Sequence, residues 1–365
     1  MSGSRAIDTA QPRGSRLCVS RSGLDIMQRM CADPRSPSAS PPSSSAIRPK
    51  HEVALSIIIV NWKVRDLLRR CLRSVEDQLP LREGACEIIV VDNASQDGSV
   101  EMMRAEFPDV SLIESQSNLG FGAGCNLAYG RSTGRFVLLL NPDAVLTDHA
   151  IDGLLDIMRD MPRAGIVAPR LIDEDRSFQP ASGGALPTLL NVAWNYLFLR
   201  SVLPRRLAPP PLFLDADPQG LLHLEWVSGA AMLLRREAVG ETIFDESFFM
   251  FGEDMDLCDR TRRKGWEVLY SSRQSVIHHQ GRSFNQQRSL DILANAHEGP
   301  RRVFAKSRGR PSLIAYDAIM LGAFATRWGL FRFLAAIRPG LGYDQRATYS
   351  SNYVRAMLHA RRRRR

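Results

Sequence analysis

Carboxylates and amides gather just past the apolar runs of this chain, most clearly in Asn141-Pro142-Asp143-Ala144, which follows FVLLL (Phe136 to Leu140). A carboxylate held at the end of a buried strand can give an oxygen ligand to Mg²⁺ or Mn²⁺ while phosphate oxygens complete the shell. Asp143 is thus a candidate metal and diphosphate anchor, although the same four residues read alone make an ordinary turn. In VVDNASQDGS (Val90 to Ser99), Asp92 can accept hydrogen bonds from a ribose or base, whereas Asp97 and Ser99 suit a helix cap. FGEDMDLCDR (Phe251 to Arg260) holds four carboxylates. Asp256 and Asp259 are spaced to pair with Arg260 or Arg263 on a solvated helix face. Glu253 and Asp254 are expected to precede that helix, where a carboxylate either takes a proton from an attacking hydroxyl or complements the helix dipole. His278 and His279 in VIHHQGRS follow a short apolar strand; alternation sends them to opposite faces, so at most one reaches a cleft, as a ligand or as a structural group. NLGFGAGCN (Asn118 to Asn126) lacks the GxGxxG dinucleotide fingerprint after the first strand. Its glycines, Gly120 among them, would let a loop and helix start approach a ligand, with Asn118 and Asn126 satisfying backbone or base edges.

The elements that must position these groups alternate regularly. LSIIIV (Leu55 to Val60) is a continuous apolar, β-branched run of the kind buried on both faces of a parallel sheet. Val64, Leu67, Leu68, Cys71, Leu72, Val75 and Leu79 then form one helical stripe that Pro80 ends. Strands are predicted at Glu87 to Val91, Val110 to Ile113 and Phe136 to Leu140, with helices starting near Asp97 and spanning Ala123 to Tyr129. That alternation predicts an α/β fold with a mostly parallel sheet, whose ligands bind beyond the strands' carboxyl ends, at Asn61, Asp92, Asn93, Asn141 and Asp143. Residues 176–222 are proline-rich and are read as an irregular loop over the site. Residues 311–338 are helical and apolar apart from Asp317, Arg327 and Arg332, with Arg338 at the very end; the first three fall within an arc of about 140° and predict an amphipathic helix.

At 365 residues, 44% hydrophobic and 24% charged, the chain is neither wholly disordered, fibrous nor polytopic. The net charge of +9 divides into basic ends and an acidic centre: residues 51–299 carry 25 basic and 34 acidic side chains. An acidic centre is a poor track for a phosphate backbone, so no nucleic-acid partner is expected. Residues 1–50 hold 11 serines, 6 prolines and no aromatic residue, and are expected to be a disordered leader, within which Met27 and Met30 are alternative starts. Six cysteines with no CxxC pair suit a reducing cytoplasm. No apolar run of signal-peptide length precedes the first strand, and no run of 18 uncharged apolar residues occurs.

Taken in order, SIIIVNW, EIIVVDNASQDGS, NLGFGAGCN, LLLNPDA, VSGAAMLLRR, FDESFFMFGEDMDLCDR, GW and HHQGRS resemble family 2 glycosyltransferases of the GT-A fold, in particular the bacterial rhamnosyltransferase-like branch, over roughly residues 55–284. The resemblance implies a GT-A domain over 51–299, with a nucleotide-binding half (51–150) and an acceptor and catalytic half (165–290), followed by a basic helical extension (300–365). It implies that Asp92 binds the nucleotide, with Asn61, Asn118, Gly120, Asn126, Asn141 and Asp143 also on the donor. Asp143 would be the last aspartate of the metal-binding DxD element, assisted by His278, and Asn141 departs from the aspartate expected at its first position. Asp254, with Glu253, would be the catalytic base, and Trp226, Gly229 and Ala230 the acceptor-side wall. The implied activity is inverting transfer of a sugar from a nucleotide-diphospho-sugar, with Mg²⁺ or Mn²⁺. Thymidine-diphosphate rhamnose is the expected donor and a lipid-linked or cell-envelope saccharide the acceptor. A catalytically silent nucleotide-sugar-binding or scaffolding subunit is the alternative. The 311–338 helix and Arg361 to Arg365 together offer apolar area and attraction to anionic lipid at the inner face of the membrane; a helical lid packed on the sheet domain is the competing reading. Every version requires Asp143 and Asp254 to face one crevice.

Overall fold

The computed structural model describes residues 54–78, 86–180, 182–279 and 290–363. The leader 1–50, Leu79, Pro80, Gln280 to Ser283, Arg364 and Arg365, on which the sequence also raises expectations, lie outside them.

Four strands, β1 (Leu55–Asn61), β2 (Cys86–Asp92), β3 (Ser111–Glu114) and β4 (Phe136–Leu140), run parallel in the order β3-β2-β1-β4. Helices α1 (Arg65–Glu76), α2 (Ser99–Glu106) and α3 (Phe121–Tyr129) connect them. Every residue of β1 is buried, because side chains on both its faces meet a core. Ile57, Ile59, Leu138 and Leu140 pack with Leu68 and Leu72 on one side. Ile58, Val60, Val137 and Leu139 pack with Cys125 and Tyr129 on the other. Asn61 stands opposite Asp92 and Ile59 opposite Leu140, so Asn61, Asp92 and Asn141 emerge at one edge.

The second half of the sheet is mixed. After β5 (Ala144–Leu146) and α4 (Ala150–Asp160) come β6 (Ala164–Ile172), β7 (Gly183–Gly184), α5 (Leu189–Tyr196), β8 (Leu221–His223), β9 (Trp226–Val227), β10 (Ala231–Arg235), α6 (Glu253–Arg263) and β11 (Glu267–His278). β10 lies antiparallel between β4 and β6, while β11 is parallel to β6 and antiparallel to β5 and β8. Reversal is what serves the site. Ala231 pairs with Leu140, so the start of β10 sits beside the end of β4, and His278 pairs with Ala144.

Segment 176–222 departs from the predicted irregular loop. It contains α5, started by a reciprocal capping box between Thr188 and Asn191, and β7, which pairs with β9. Leu189 and Val192 of α5 join Leu212, Phe304, Tyr316, Met320, Phe324, Tyr353 and Met357 in a separate apolar cluster. That cluster is the meeting point of α7 (Leu290–Ser307), α8 (Arg310–Ile337) and α9 (Tyr343–Arg363). Among the described residues Cys71, Cys86, Cys125 and Cys258 are all free thiols.

Candidate active site

The ends of β1 and β2 are locked by a turn. Asn61 donates through Nδ2 to Asp92 Oδ1 at 2.8 Å and to Ser95 Oγ at 3.0 Å, and Asp92 Oδ2 accepts from the Ser95 amide at 3.0 Å. Asn61 Oδ1 and Asn93 Oδ1 are buried acceptors without a donor. Asp97 accepts from the Ser99 amide and hydroxyl and from the Arg65 amide, so it caps helices and takes no part in the crevice.

Asn126 is reassigned. Its Oδ1 accepts from the amides of Ile243 and Phe244, and its Nδ2 donates to the Phe244 carbonyl and Glu246 Oε1. All its polar capacity holds the loop ahead of α6, leaving none for a nucleotide. The nearby glycines serve the same packing rather than a ligand. A Cβ on Gly120, whose φ is +84°, would meet the Phe249 carbonyl at 2.8 Å, and one on Gly124 would meet Val60 at 2.8 Å. Asn118 is exposed and its Oδ1 accepts from the Gly120 amide, fixing the start of α3.

At the end of β4 the antiparallel pairing of β5 and β11 gathers a polar cluster. His278 Nε2 lies 3.4 Å from Asp143 Oδ1 and 3.3 Å from Asn141 Nδ2. Its Nδ1 faces Gln179 Oε1 at 3.1 Å. Gln179 is oriented by donating Nε2 to Asp173 Oδ1 and to the His278 carbonyl. Its carbonyl oxygen accepts the Nδ1 proton, which turns Nε2 toward the Asn141 side-chain amide nitrogen and the Asp143 carboxylate. A carboxylate beside a histidine anchored from behind is a chemically suitable pair for a divalent metal completed by phosphate oxygens. No cluster of three or more His, Cys, Asp or Glu side chains suited to a metal occurs among the described residues, so such an ion would rely on its substrate for further ligands. His279 turns to the opposite side, with Nδ1 3.0 Å from Glu174. Gln179 is invisible to motif reading: it lies 99 residues from His278 and only the β6–β11 pairing brings them together.

Across from this cluster, α6 begins after Gly252, in the left-handed region at φ +85°. Glu253 and Asp254 are its first two residues and do not precede it, and Asp256 also lies in the first turn. Asp254 is half-buried; its Oδ2 accepts from the Gly229 amide at 3.2 Å and its Oδ1 from the Met255 amide at 2.8 Å. Burial raises its pKa above the ordinary aspartate value, partly offset by these amides. Glu253 faces inward, 6% exposed, with Oε2 unpartnered. Its own pKa is raised by burial and by the neighbouring Asp254 charge. Asp256 is also not solvated: it is buried and bonds Arg260 at 2.9 Å and Lys306 at 2.6 Å.

The two clusters meet through two consecutive residues. Gly229 donates to Asp254, and the next carbonyl, that of Ala230, accepts from the Asn141 amide at 2.9 Å. Gly229 and Ala230 therefore tie Asp254 to the Asn141–Asp143 turn through the backbone. Trp226 is not part of its wall: the indole is 3% exposed, donates to the Leu212 carbonyl at 3.1 Å and packs edge-on against Phe213.

A carboxylate with raised basicity opposite a candidate cation site, at the carboxyl edge of parallel strands, is an arrangement for transfer from a diphosphate donor to a hydroxyl. The model of the family described as Glycosyl transferase family 2 matches residues 56–239. The chain belongs to this family. The transferase is 29% identical over 253 residues to the N-acetylglucosaminyl-diphospho-decaprenol L-rhamnosyltransferase of Mycobacterium tuberculosis, covering 66% of this chain and 81% of that relative. It is 25% identical over 239 residues to the rhamnosyltransferase WbbL of Escherichia coli K12, covering 62% and 85%. Among solved structures, the mannosyltransferase PcManGT of Pyrobaculum calidifontis, determined with GDP-Man and Mn²⁺, superposes with a TM-score of 0.52 at 17% identity, over 88% of this chain and 90% of that one. The fold is that of GT-A enzymes, and the protein is a sugar-transferring glycosyltransferase; a silent binding subunit is not favoured.

Proposed function

We propose that the enzyme transfers rhamnose, with inversion, from thymidine-diphosphate rhamnose to a hydroxyl of a saccharide carried on a polyprenyl diphosphate, working at the inner face of the membrane. The observation that carries the catalytic part of this reading is the Gly229–Ala230 bridge joining Asp254 to the Asn141–Asp143 turn. The names of the rhamnosyltransferase relatives support the sugar and the lipid-linked acceptor.

Asp254 would take the proton from the acceptor hydroxyl as its oxygen attacks the anomeric carbon, while the bond to the diphosphate breaks on the opposite face. One displacement inverts the configuration. Asp143 and His278 would hold Mg²⁺ or Mn²⁺, which when bound neutralises charge on the departing diphosphate. Gln179, bonded to Nδ1, would hold the His278 ring with Nε2 toward that position. Asn61 and Asp92 would shape the nucleotide end, and Gly229 and Ala230 would line the wall beside the sugar. A glycoside hydrolase would instead place both carboxyls about the scissile bond, without a diphosphate anchor.

The test is turnover by the purified protein with thymidine-diphosphate rhamnose and a polyprenyl-diphosphate N-acetylglucosamine acceptor. Release of thymidine diphosphate, abolished by a chelator and restored by Mg²⁺ or Mn²⁺, is expected. Absence of release with this donor while another nucleotide-sugar turns over would reject the rhamnose assignment, and turnover indifferent to the chelator would reject the metal.

A further inference from the structure

Helix α8 is amphipathic in the sense opposite to that expected of a helix on a soluble domain. Two of its four charged residues turn toward the protein. Asp317 accepts a forked ion pair from Arg301 of α7 at 2.6 and 2.8 Å. Arg327 donates to the Tyr196 carbonyl and lies over the Phe198 ring, 4.3 Å from its centre. The outward side is instead apolar: Ile314, Leu321, Trp328, Phe333 and Ile337 are all exposed, Phe333 at 63% and Trp328 at 49%. Segment 189–202, packed beside α8 through Tyr196 and Phe324, adds exposed Val202. Soluble monomers rarely leave so continuous an apolar surface in water.

The charges around this surface indicate what covers it. Arg332 stands on the outward stripe, eleven residues and about three turns from Leu321, and Arg310 and Arg338 flank the helix at its two ends, all exposed. Indole and phenyl rings beside snorkelling guanidinium groups match the boundary between acyl chains and anionic headgroups. A second copy of the chain is a poorer match, since a two-fold contact through this face would bring its arginines together without carboxylates to receive them. By length and composition α8 is the one helix among the described residues able to cross a bilayer. Its inner side is nevertheless committed to the Arg301–Asp317 pair and to Phe324 stacked on Tyr353 at 3.8 Å, which lays it along a surface.

We propose that the outward side of α8, extended by segment 189–202, is a docking surface for bilayers containing anionic phospholipid. The inference stands whatever sugar and acceptor the active site takes, because lipid binding and turnover are read separately.

The experiment is flotation of the full chain with vesicles of phosphatidylcholine containing about 30% phosphatidylglycerol, against phosphatidylcholine alone. Most of the protein is expected to rise with the anionic vesicles, and about 0.5 M NaCl should weaken the binding severalfold. Trp328→Glu with Phe333→Glu should reduce flotation about ten-fold while leaving the thermal midpoint and donor turnover with a short-chain acceptor unchanged. Arg332→Glu with Arg338→Glu should remove the preference for anionic lipid. A wild-type protein that stays with the soluble fraction would overturn the proposal, as would apolar-face variants that float normally. A concentration-dependent dimer abolished by Trp328→Glu with Phe333→Glu would assign the surface to a second copy instead.

Discussion

Two adjacent carboxyls at the start of α6 share one environment and do different work. Asp254 is half-buried and accepts from the Gly229 amide, whereas Glu253 is enclosed with one oxygen unpartnered. Asp254→Asn keeps the side chain's shape and removes the base, so kcat should fall by about 10²–10⁴ with donor affinity retained, as separate calorimetric and kinetic measurements would show. Equal loss of donor binding would give Asp254 a different role. Because burial raises its pKa, the acid limb of the rate profile should lie above the ordinary aspartate value of ~3.9, with activity lost as pH falls through that limb. For stability the sign is reversed. Glu253 binds its proton more tightly in the folded state, a contribution complete below the ordinary glutamate value of ~4.3 and lost as pH rises through the raised folded value. Glu253→Gln should thus flatten the fall in thermal midpoint on the alkaline side; an unchanged pH dependence would show that this carboxyl is not the group responsible.

Helix α6 is held in place by the extension that follows the sheet. A Cβ on Gly299 of α7 would stand 2.2 Å from the Phe251 carbonyl oxygen, and one on Gly252 would stand 2.5 Å from the Gly299 carbonyl carbon. Lys306 of the same helix reaches both Asp245 and Asp256. Gly299→Ala should cost about 1–3 kcal/mol, seen in denaturant unfolding, and should lower kcat by displacing Asp254. Full activity in that variant would mean that α7 does not set the position of the base. Strand ends in the first half of the sheet were readable because fully buried parallel strands are unbroken apolar runs, and Asn61, Asp92 and Asn141 interrupt them abruptly. The neighbours of Asp143 were less accessible. Alternation separates His278 from His279 without choosing between them, and the family resemblance points to His278, but Gln179 depends on a pairing between distant strands. The glycines of NLGFGAGCN and Trp226 were read as ligand contacts because residue type alone does not distinguish a surface that meets substrate from one that meets the rest of the chain.

The whole molecule differs most from its sequence reading in the last 60 or so residues. Asp317, Arg327 and Arg332 of α8 do share an arc, but the first two are spent on internal partners, so the periodicity was legible and its meaning was not. Docking to lipid and packing on the protein are not alternatives here, since α8 has one side for each. A chain ending near residue 308 would expose Phe304, Val192 and Leu212, which Tyr316, Met320, Phe324 and Tyr353 otherwise cover. It should aggregate or unfold at a markedly lower temperature, as light scattering and calorimetry would report; a monodisperse truncated protein of unchanged midpoint would refute that dependence.

The antiparallel insertion of β10 between β4 and β6 has a mechanical consequence. The parallel and mixed halves of the sheet are stitched into a single hydrogen-bonded ladder, from Leu140 and Ala231 onward. A hinge between the two halves would have to break that ladder, so any opening that admits a sugar is expected in segments outside it.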